Sequence, residues 1–298
     1  MKDMLYLSLF NTLKFLIWIV PNRVMYLLMK GFSSLIYRID KKHRRIARVN
    51  LDLAYGDKLS DEEKEKIIKA CYFNLALSLV DFVKNQGISR EELLQKITFV
   101  NESVLTDALE KGKKVILTTA HYGNWELVAL SIAARFGPLT IIGRKLDSDV
   151  MDVVLRQNRE QFDVELVDKK GAMKQMINVL KEGRMLGLLV DQNTSEKEGI
   201  LVDFFGKPVR HTPSAAILGK RFDALIIPVF ITTEDHQHYT MTFYEPIITE
   251  KSDNKEKDIL ESVQKQARIT EEVIRKKPEE WFWLHQRWKN QFEAYYHD

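Results

Sequence analysis

The sequence predicts an α/β protein with a largely parallel central sheet flanked by helices and an N-terminal helical, membrane-associated segment. Three observations predict it. From about residue 112 short apolar runs alternate with helical patterns, the texture of strands joined by crossover helices. Residues 41 to about 100 carry helical periodicity. Residues 4–37 are strongly apolar, with Lys14, Arg23 and Lys30 as their sparse charges.

The N-terminal run holds no uncharged stretch of the roughly 18 residues that mark a clear transmembrane helix. It has no small-residue cleavage site of the kind that ends a signal peptide. Pro21 divides it into two helices. The basic "KKHRR", Lys41–Arg45, and Arg48 follow. Apolar helices ahead of a cationic cluster suit a segment held at the cytoplasmic side of a membrane, lying on it or crossing it; packing on the protein's own core is the plainer reading. The expected domains are residues 1–40, apolar membrane-associated helices, and 41–298, with a helical subregion 41–110 and an α/β core 111–298.

In the helical subregion, "SDEE" at Ser60–Glu63 and "SREE" at Ser89–Glu92 read as capping boxes, in which a serine hydroxyl and a glutamate satisfy each other's helix-start N–H groups. Cys71 lies in an apolar stripe and reads as a small core residue. As the single cysteine of the chain, it excludes an internal disulfide and a Cys-based zinc site. A net charge of +3 over 298 residues is too mild for a general nucleic-acid binder.

The core elements follow in order: strand "KVILTTA" from residue 114, helix near 124–135, strand 139–143, helix near 148–162, strand 164–167, helix near 171–182 and strand "MLGLLVD" over 185–191. Residues 204–210, "FFGKPVR", read as a loop with apolar side chains beside cations, suited to an acyl chain or headgroup. A helix over 212–222 has Pro213 near its start. Strands 224–233 and 239–247 suggest a hairpin, and a polar helix covers about 254–277. Pro228 inside a strand suggests an edge or a bulge.

One stretch invites chemistry. In "TTAHYGNWEL", residues 118–127, a strand ends in His121 and a helix begins near Asn124, with Glu126 in its first turn. Functional groups collect at the carboxyl ends of such strands. The chain can turn so that the Glu126 carboxylate meets one imidazole nitrogen, leaving the other to take a proton. Gly123 permits a tight bend, and Asn124 can cap the helix. No histidine or cysteine stands at zinc-ligand spacing. Serine-hydrolase, Walker A and dinucleotide glycine motifs are absent. On spacing alone, a structural strand-end histidine competes evenly with a catalytic one.

The ordered series "KKHRRIARVNLDLAY", "LTTAHYGNWE", "IIGRKL", "GLLVDQN", "ALIIPVF" and "PEEWFWLHQRWK" resembles the late acyltransferases of lipid A biosynthesis, the lauroyl/myristoyl transferases of the His-x-x-x-x-Asp/Glu acyltransferase superfamily, with a Campylobacter-like branch suggested. The resemblance implies an acyltransferase with His121 as general base and Glu126 as its partner. The implied donor is a fatty acyl chain on acyl carrier protein. The implied acceptor is a hydroxyl of a Kdo-bearing lipid A precursor, among inner-membrane lipids at the cytoplasmic face. It needs no cofactor and no metal, and it binds no nucleic acid. Backbone N–H groups near Gly123 and Asn124 are candidates for holding the oxyanion. Arg159 and Asp191 match two further family positions. Arg159 either binds a phosphate or orders the His–Glu pair, and an Asp191–Arg159 pair accounts for both residues. Arg144 ends a strand and can meet acidic groups on the acceptor. His285 and Arg287, in a run with Trp281, Trp283 and Trp288, suit structural support or phosphate contact; the aromatic rings suit a lipid interface or the core. The alternatives are an acyltransferase for a lysophospholipid or other glycolipid, and a non-catalytic lipid-binding protein.

Overall fold

The computed structural model describes residues 2–297. Two helices, α1 (Lys2–Ile19) and α2 (Asn22–Ile39), break at Pro21 as its ring requires. Then come α3 (Lys41–Tyr55), α4 (Asp61–Lys84) and α5 (Arg90–Gln95), the last two opened by the complete capping boxes of Ser60 with Glu63 and Ser89 with Glu92. The chain continues through β1 (Ile97–Val100), α6 (Ser103–Glu110), β2 (Val115–Thr119), α7 (Trp125–Phe136), β3 (Leu139–Gly143), α8 (Asp149–Arg159) and β4 (Val164–Asp168). It ends with α9 (Ala172–Glu182), β5 (Met185–Leu189), β6 (Ile200–Phe204), β7 (Lys207–His211), α10 (Ser214–Phe222), β8 (Leu225–Thr233), β9 (Tyr239–Phe243) and α11 (Lys255–Lys276).

Seven strands form one sheet in the order β1-β9-β8-β2-β5-β3-β4. Every pairing in it is parallel except the β8–β9 hairpin. The central strands carry continuous apolar runs, as strands covered on both faces do. Leu117, Leu130, Ile227 and Met241 pack in the cluster on one face; Ile116, Leu186, Leu180 and Leu218 pack in the cluster on the other. A third cluster joins α3, α4 and α11 to Trp281, Trp283 and Trp288.

Three expectations change, and one open alternative is decided. β1 lies inside the stretch read as helical, because its partner is the distant β9, a pairing that local periodicity does not encode. Residues 204–210 are not a ligand loop. β6 and β7 form a separate antiparallel hairpin with Phe205 and Gly206 at positive φ in its turn, and Phe204 and Phe205 are buried in the aromatic core. Pro228 sits on an interior strand rather than at an edge or bulge. β8 pairs with β2 through Pro228 and with β9 from Val229 onward, so the proline occupies the handover between partners. The three C-terminal tryptophans are at most 2% exposed; they belong to the core, not to a lipid interface.

No helix among the described residues is long and apolar enough to cross a membrane. α1 and α2 pack on α4 through Ile17, Met25, Val80 and Val83. Their outer faces leave Leu9, Phe15, Trp18, Leu27, Leu35 and Ile39 each at least 55% exposed.

Candidate active site

β2 and β5 are parallel neighbours with Thr119 opposite Leu189. Two residues beyond that register each chain leaves the sheet, at His121 and at Asp191. The two side chains therefore meet above the carboxyl ends of adjacent strands. His121 Nδ1 donates to Asp191 Oδ1 at 2.8 Å, and the His121 backbone N–H donates to Oδ2 at 3.0 Å. The Trp281 indole N–H also donates to Oδ2, at 2.8 Å. Asp191 is 3% exposed. Burial alone raises a carboxyl pKa, but the facing His121, the indole and the His121 backbone N–H outweigh it and hold Asp191 well below the usual carboxylate range.

With Nδ1–H committed to Asp191, the lone pair of the neutral ring sits on Nε2. The Gln192 side-chain amide approaches Nε2 at 3.3 Å, an arrangement that suits a donor facing that lone pair. The imidazole is partly exposed and stands edge-on to Trp125 at 5.3 Å between centroids, with Phe282 at 6.2 Å. One ring nitrogen is thus fixed by a buried charge, and the other faces the Gln192 amide beside the Trp125 and Phe282 rings.

Glu126 does not partner the imidazole through Nδ1, the nitrogen that Asp191 takes. Both Glu126 oxygens accept from Arg159, Oε2 from Nε at 2.8 Å and Oε1 from Nη2 at 2.5 Å. Arg159 therefore pairs with Glu126 rather than with Asp191. The sequence reading pairs Glu126 with His121 and Asp191 with Arg159; the structure exchanges the two partners. Glu126 opens α7 and Arg159 closes α8, and this bidentate bridge fastens the two helices beside the site. Burial alone lowers the pKa of the Arg159 guanidinium; the Glu126 carboxylate reverses that and raises it.

Gly123 is at φ +56°, and a Cβ there would lie 2.1 Å from the Ile231 carbonyl oxygen. Its N–H is engaged by the Glu280 carbonyl at 2.9 Å, which removes it from the candidate oxyanion donors. Asn124 occupies the position before α7 but does not cap it with its side chain. That amide is buried and donates to Asp81 Oδ2 at 2.9 Å and to the Tyr239 hydroxyl at 3.4 Å. Tyr239 also donates to Asp81. The turn after His121 is thereby pinned to α4 and β9 by a polar network that no motif announces. Arg144 is solvent-exposed and pairs with Asp147 at 3.2 Å, and Lys145 pairs with Asp149 at 2.8 Å.

The C-terminal segment closes the site from behind. Tyr122 and Trp281 form an antiparallel bridge, and the Phe282 N–H donates to the His121 carbonyl at 2.9 Å. Asn50 of α3 donates to the Trp283 and His285 carbonyls at 2.6 and 2.7 Å. Arg287 is 1% exposed and donates to the carbonyls of Gln192 and Arg210 at 3.0 and 2.6 Å. Of the two roles that suit His285 and Arg287, structural support is the one these contacts carry. The sequence marks this run by its aromatic density but carries no sign that one of its rings reaches Asp191.

Fold and site define an α/β protein with a histidine–carboxylate pair at the ends of neighbouring parallel strands, an arrangement suited to taking a proton from a hydroxyl. Residues 2–290 match the family model described as bacterial lipid A biosynthesis acyltransferase. The chain belongs to that family and is an enzyme that transfers acyl groups in lipid A biosynthesis. It is 23% identical over 251 residues to lipid A biosynthesis acyltransferase 2 of Shigella flexneri, covering 83% of this chain and 78% of the relative. It is 21% identical over 283 residues to the lipid A biosynthesis lauroyltransferase of Escherichia coli K12, covering 93% and 90%. A phosphatidylinositol mannoside acyltransferase of Mycolicibacterium smegmatis is 23% identical over 186 residues, 61% of this chain and 60% of that one.

Proposed function

We propose that the enzyme moves a fatty acyl chain from acyl carrier protein to a hydroxyl of a Kdo-bearing lipid A precursor, with His121 as general base. The observation that carries the mechanism is the 2.8 Å contact between His121 Nδ1 and buried Asp191, which leaves Nε2 as the basic nitrogen. The acceptor hydroxyl displaces the Gln192 amide and gives its proton to Nε2. Its oxygen attacks the thioester carbonyl. The tetrahedral intermediate then collapses, expelling the thiolate, which takes the proton back from the imidazolium. Asp191 stabilises the transient imidazolium. Base catalysis of this kind contributes roughly 100- to 10,000-fold.

At the start of α7 the Leu127 N–H is taken by the Asn124 carbonyl at 3.0 Å, and the N–H groups of Trp125 and Glu126 suit the oxyanion. Glu126, the expected partner of the base, acts through Arg159 in holding the floor of the site; its remaining lone pairs suit sugar hydroxyls, and Arg159 presents positive charge to a phosphate. The exposed apolar faces of α1 and α2, next to Arg38, Lys41 and Lys42, support seating on the cytoplasmic face of the inner membrane, where the acceptor lies. No helix among the described residues is long and apolar enough to cross a membrane, and the proposed mode of contact is seating of these apolar faces in the bilayer surface.

The similarity to phosphatidylinositol mannoside acyltransferase favours another glycolipid as the second reading of the acceptor. The test is turnover of acyl carrier protein thioester by the purified enzyme with the lipid A precursor, a lysophospholipid and an inositol mannolipid in parallel. Transfer to the precursor alone supports the main reading. Transfer to one of the others moves the acceptor assignment. Binding without transfer to any of the three would place the acceptor, or the donor, outside the classes proposed.

A further inference from the structure

The aromatic C-terminal run does more than fill the core. Trp281 is 2% exposed, its ring held edge-on against Trp283 at 4.6 Å and Phe204 at 5.8 Å. Its backbone is tied down as well, by the bridge to Tyr122 and by the Cys71 thiol on its carbonyl at 3.4 Å. A ring locked on this many sides has little freedom to turn its N–H elsewhere. That N–H lies 2.8 Å from Asp191 Oδ2, while Oδ1 takes the imidazole.

The His121 backbone N–H already holds Oδ2 at 3.0 Å, and the indole is a second, rigid donor on that same oxygen. It also withdraws part of the negative charge that would otherwise bind the imidazolium proton. We propose that Trp281 is a positioning residue for the acyl transfer: its indole N–H orients the Asp191 carboxylate and sets how firmly His121 holds a proton. This rests on the general-base reading of His121.

The other charged and titratable groups around Asp191 leave the effect readable. His285 lies on the same segment, and burial lowers it to about 4; His211, at the end of β7, is lowered by burial to about 3. Arg287 is lowered by burial to about 10, and Lys169 bears on His285. Burial keeps both histidines neutral and leaves Arg287 charged near neutral pH, and the variants at position 281 leave these groups in place.

The test uses full-length enzyme with Trp281→Phe, and with benzothienylalanine at position 281, which keeps the bicyclic volume and replaces N–H with sulfur. The second substitution covers the case in which the smaller phenylalanine opens the core and impairs folding. For a lost hydrogen bond to a charged group, kcat is expected to fall about 10-fold with KM changed less than about 2-fold. The acidic limb of kcat/KM moves to higher pH, because a less compensated Asp191 holds the imidazolium proton more firmly. In an Asp191→Asn background the same change at position 281 costs nothing further, since its route of action is gone. A benzothienylalanine enzyme with wild-type kcat and limb, beside an inactive His121→Ala enzyme, overturns the role of Trp281 alone. Losses that multiply in the Asp191→Asn background also overturn it, in favour of packing. Turnover retained by His121→Ala overturns the general-base reading on which it stands.

Discussion

Asp191 reaches His121 because Thr119 and Leu189 are register partners on adjacent parallel strands. Two chain segments 70 residues apart leave the sheet at the same level and in the same direction. The contact is thus a product of strand order. Replacing Asp191 by asparagine keeps an acceptor for the Nδ1–H but removes the charge that stabilises the imidazolium. Turnover by Asp191→Asn is expected to fall about 100-fold or more, within the range for impaired base catalysis, with circular dichroism unchanged. Near wild-type turnover from the folded variant would remove Asp191 from the mechanism.

The ion pairing makes a sharper claim about coupling. Glu126 and Arg159 share two hydrogen bonds, so a double-mutant cycle between Glu126→Gln and Arg159→Ala should yield a coupling of about 0.5–3 kcal/mol in transition-state free energy. A cycle between Arg159→Ala and Asp191→Asn should be additive within about 0.5 kcal/mol, as for residues without shared partners. The opposite pattern in steady-state kinetics would return Asp191 to Arg159.

Much of this architecture was legible in the sequence. Strands β3 and β4, the helices after β2 and β3 and both capping boxes follow from short-range periodicity and from residues three apart. His121 is marked by an ionisable side chain at the end of an apolar strand, and Asp191 by the family resemblance together with its own place at a strand end. What sequence does not carry is strand order. Without knowing that β5 lies beside β2, His121 is most simply given the carboxylate five residues on, and Asp191 is given Arg159, the other residue matched by the family resemblance. The same absence hides β1, the β6–β7 hairpin and the reach of Trp281 into the site. Each depends on a partner distant in the chain.

Gly123 offers a test of the turn itself. Its φ of +56° and the 2.1 Å approach to the Ile231 carbonyl leave no place for a methyl group without moving a core strand. Gly123→Ala is expected to cost about 3 kcal/mol or more in urea unfolding, the range of substitutions that combine backbone strain with overpacking. A variant within about 0.5 kcal/mol of wild type would show that the turn relaxes freely.

Asp81 gives a pH-dependent prediction with a definite sign. Burial raises its carboxyl pKa, outweighing the Tyr239 and Asn124 donors and the Lys96 and Lys84 charges. A carboxyl whose folded pKa lies above its unfolded value binds more protons when folded, so its contribution to stability declines as pH rises from the unfolded value through the folded one. Asn at this position keeps an acceptor for Tyr239 and Asn124 and carries no charge to bury. Asp81→Asn should therefore gain stability relative to wild type as pH rises above the usual carboxylate range, and lose that advantage toward acid. Thermal unfolding across that range checks it; a stability difference independent of pH contradicts it.

Membrane seating is best tested on the outer faces of α1 and α2 rather than by deleting them. Removing residues 1–38 would uncover Val80 and Val83 of α4, which Ile17 and Met25 bury, and would confuse lost binding with aggregation. Phe15 and Trp18 are each 63% exposed, so a charge at either position costs the fold little. On a bilayer the same side chains enter the interface, where burying one of them is worth about 1.5–3 kcal/mol, or roughly 10- to 100-fold in partitioning. Phe15→Glu and Trp18→Glu should each weaken binding to anionic vesicles by about 10-fold or more, with the melting temperature unchanged. Turnover on vesicle-embedded acceptor should fall with binding, while turnover on detergent-dispersed acceptor is retained. Adding salt should weaken the wild type further if Arg38, Lys41 and Lys42 meet lipid phosphates, since that attraction is screened within about a Debye length. Vesicle flotation reads all of these. Wild-type flotation by the Phe15→Glu, Trp18→Glu double variant would place the membrane contact on another surface of the enzyme.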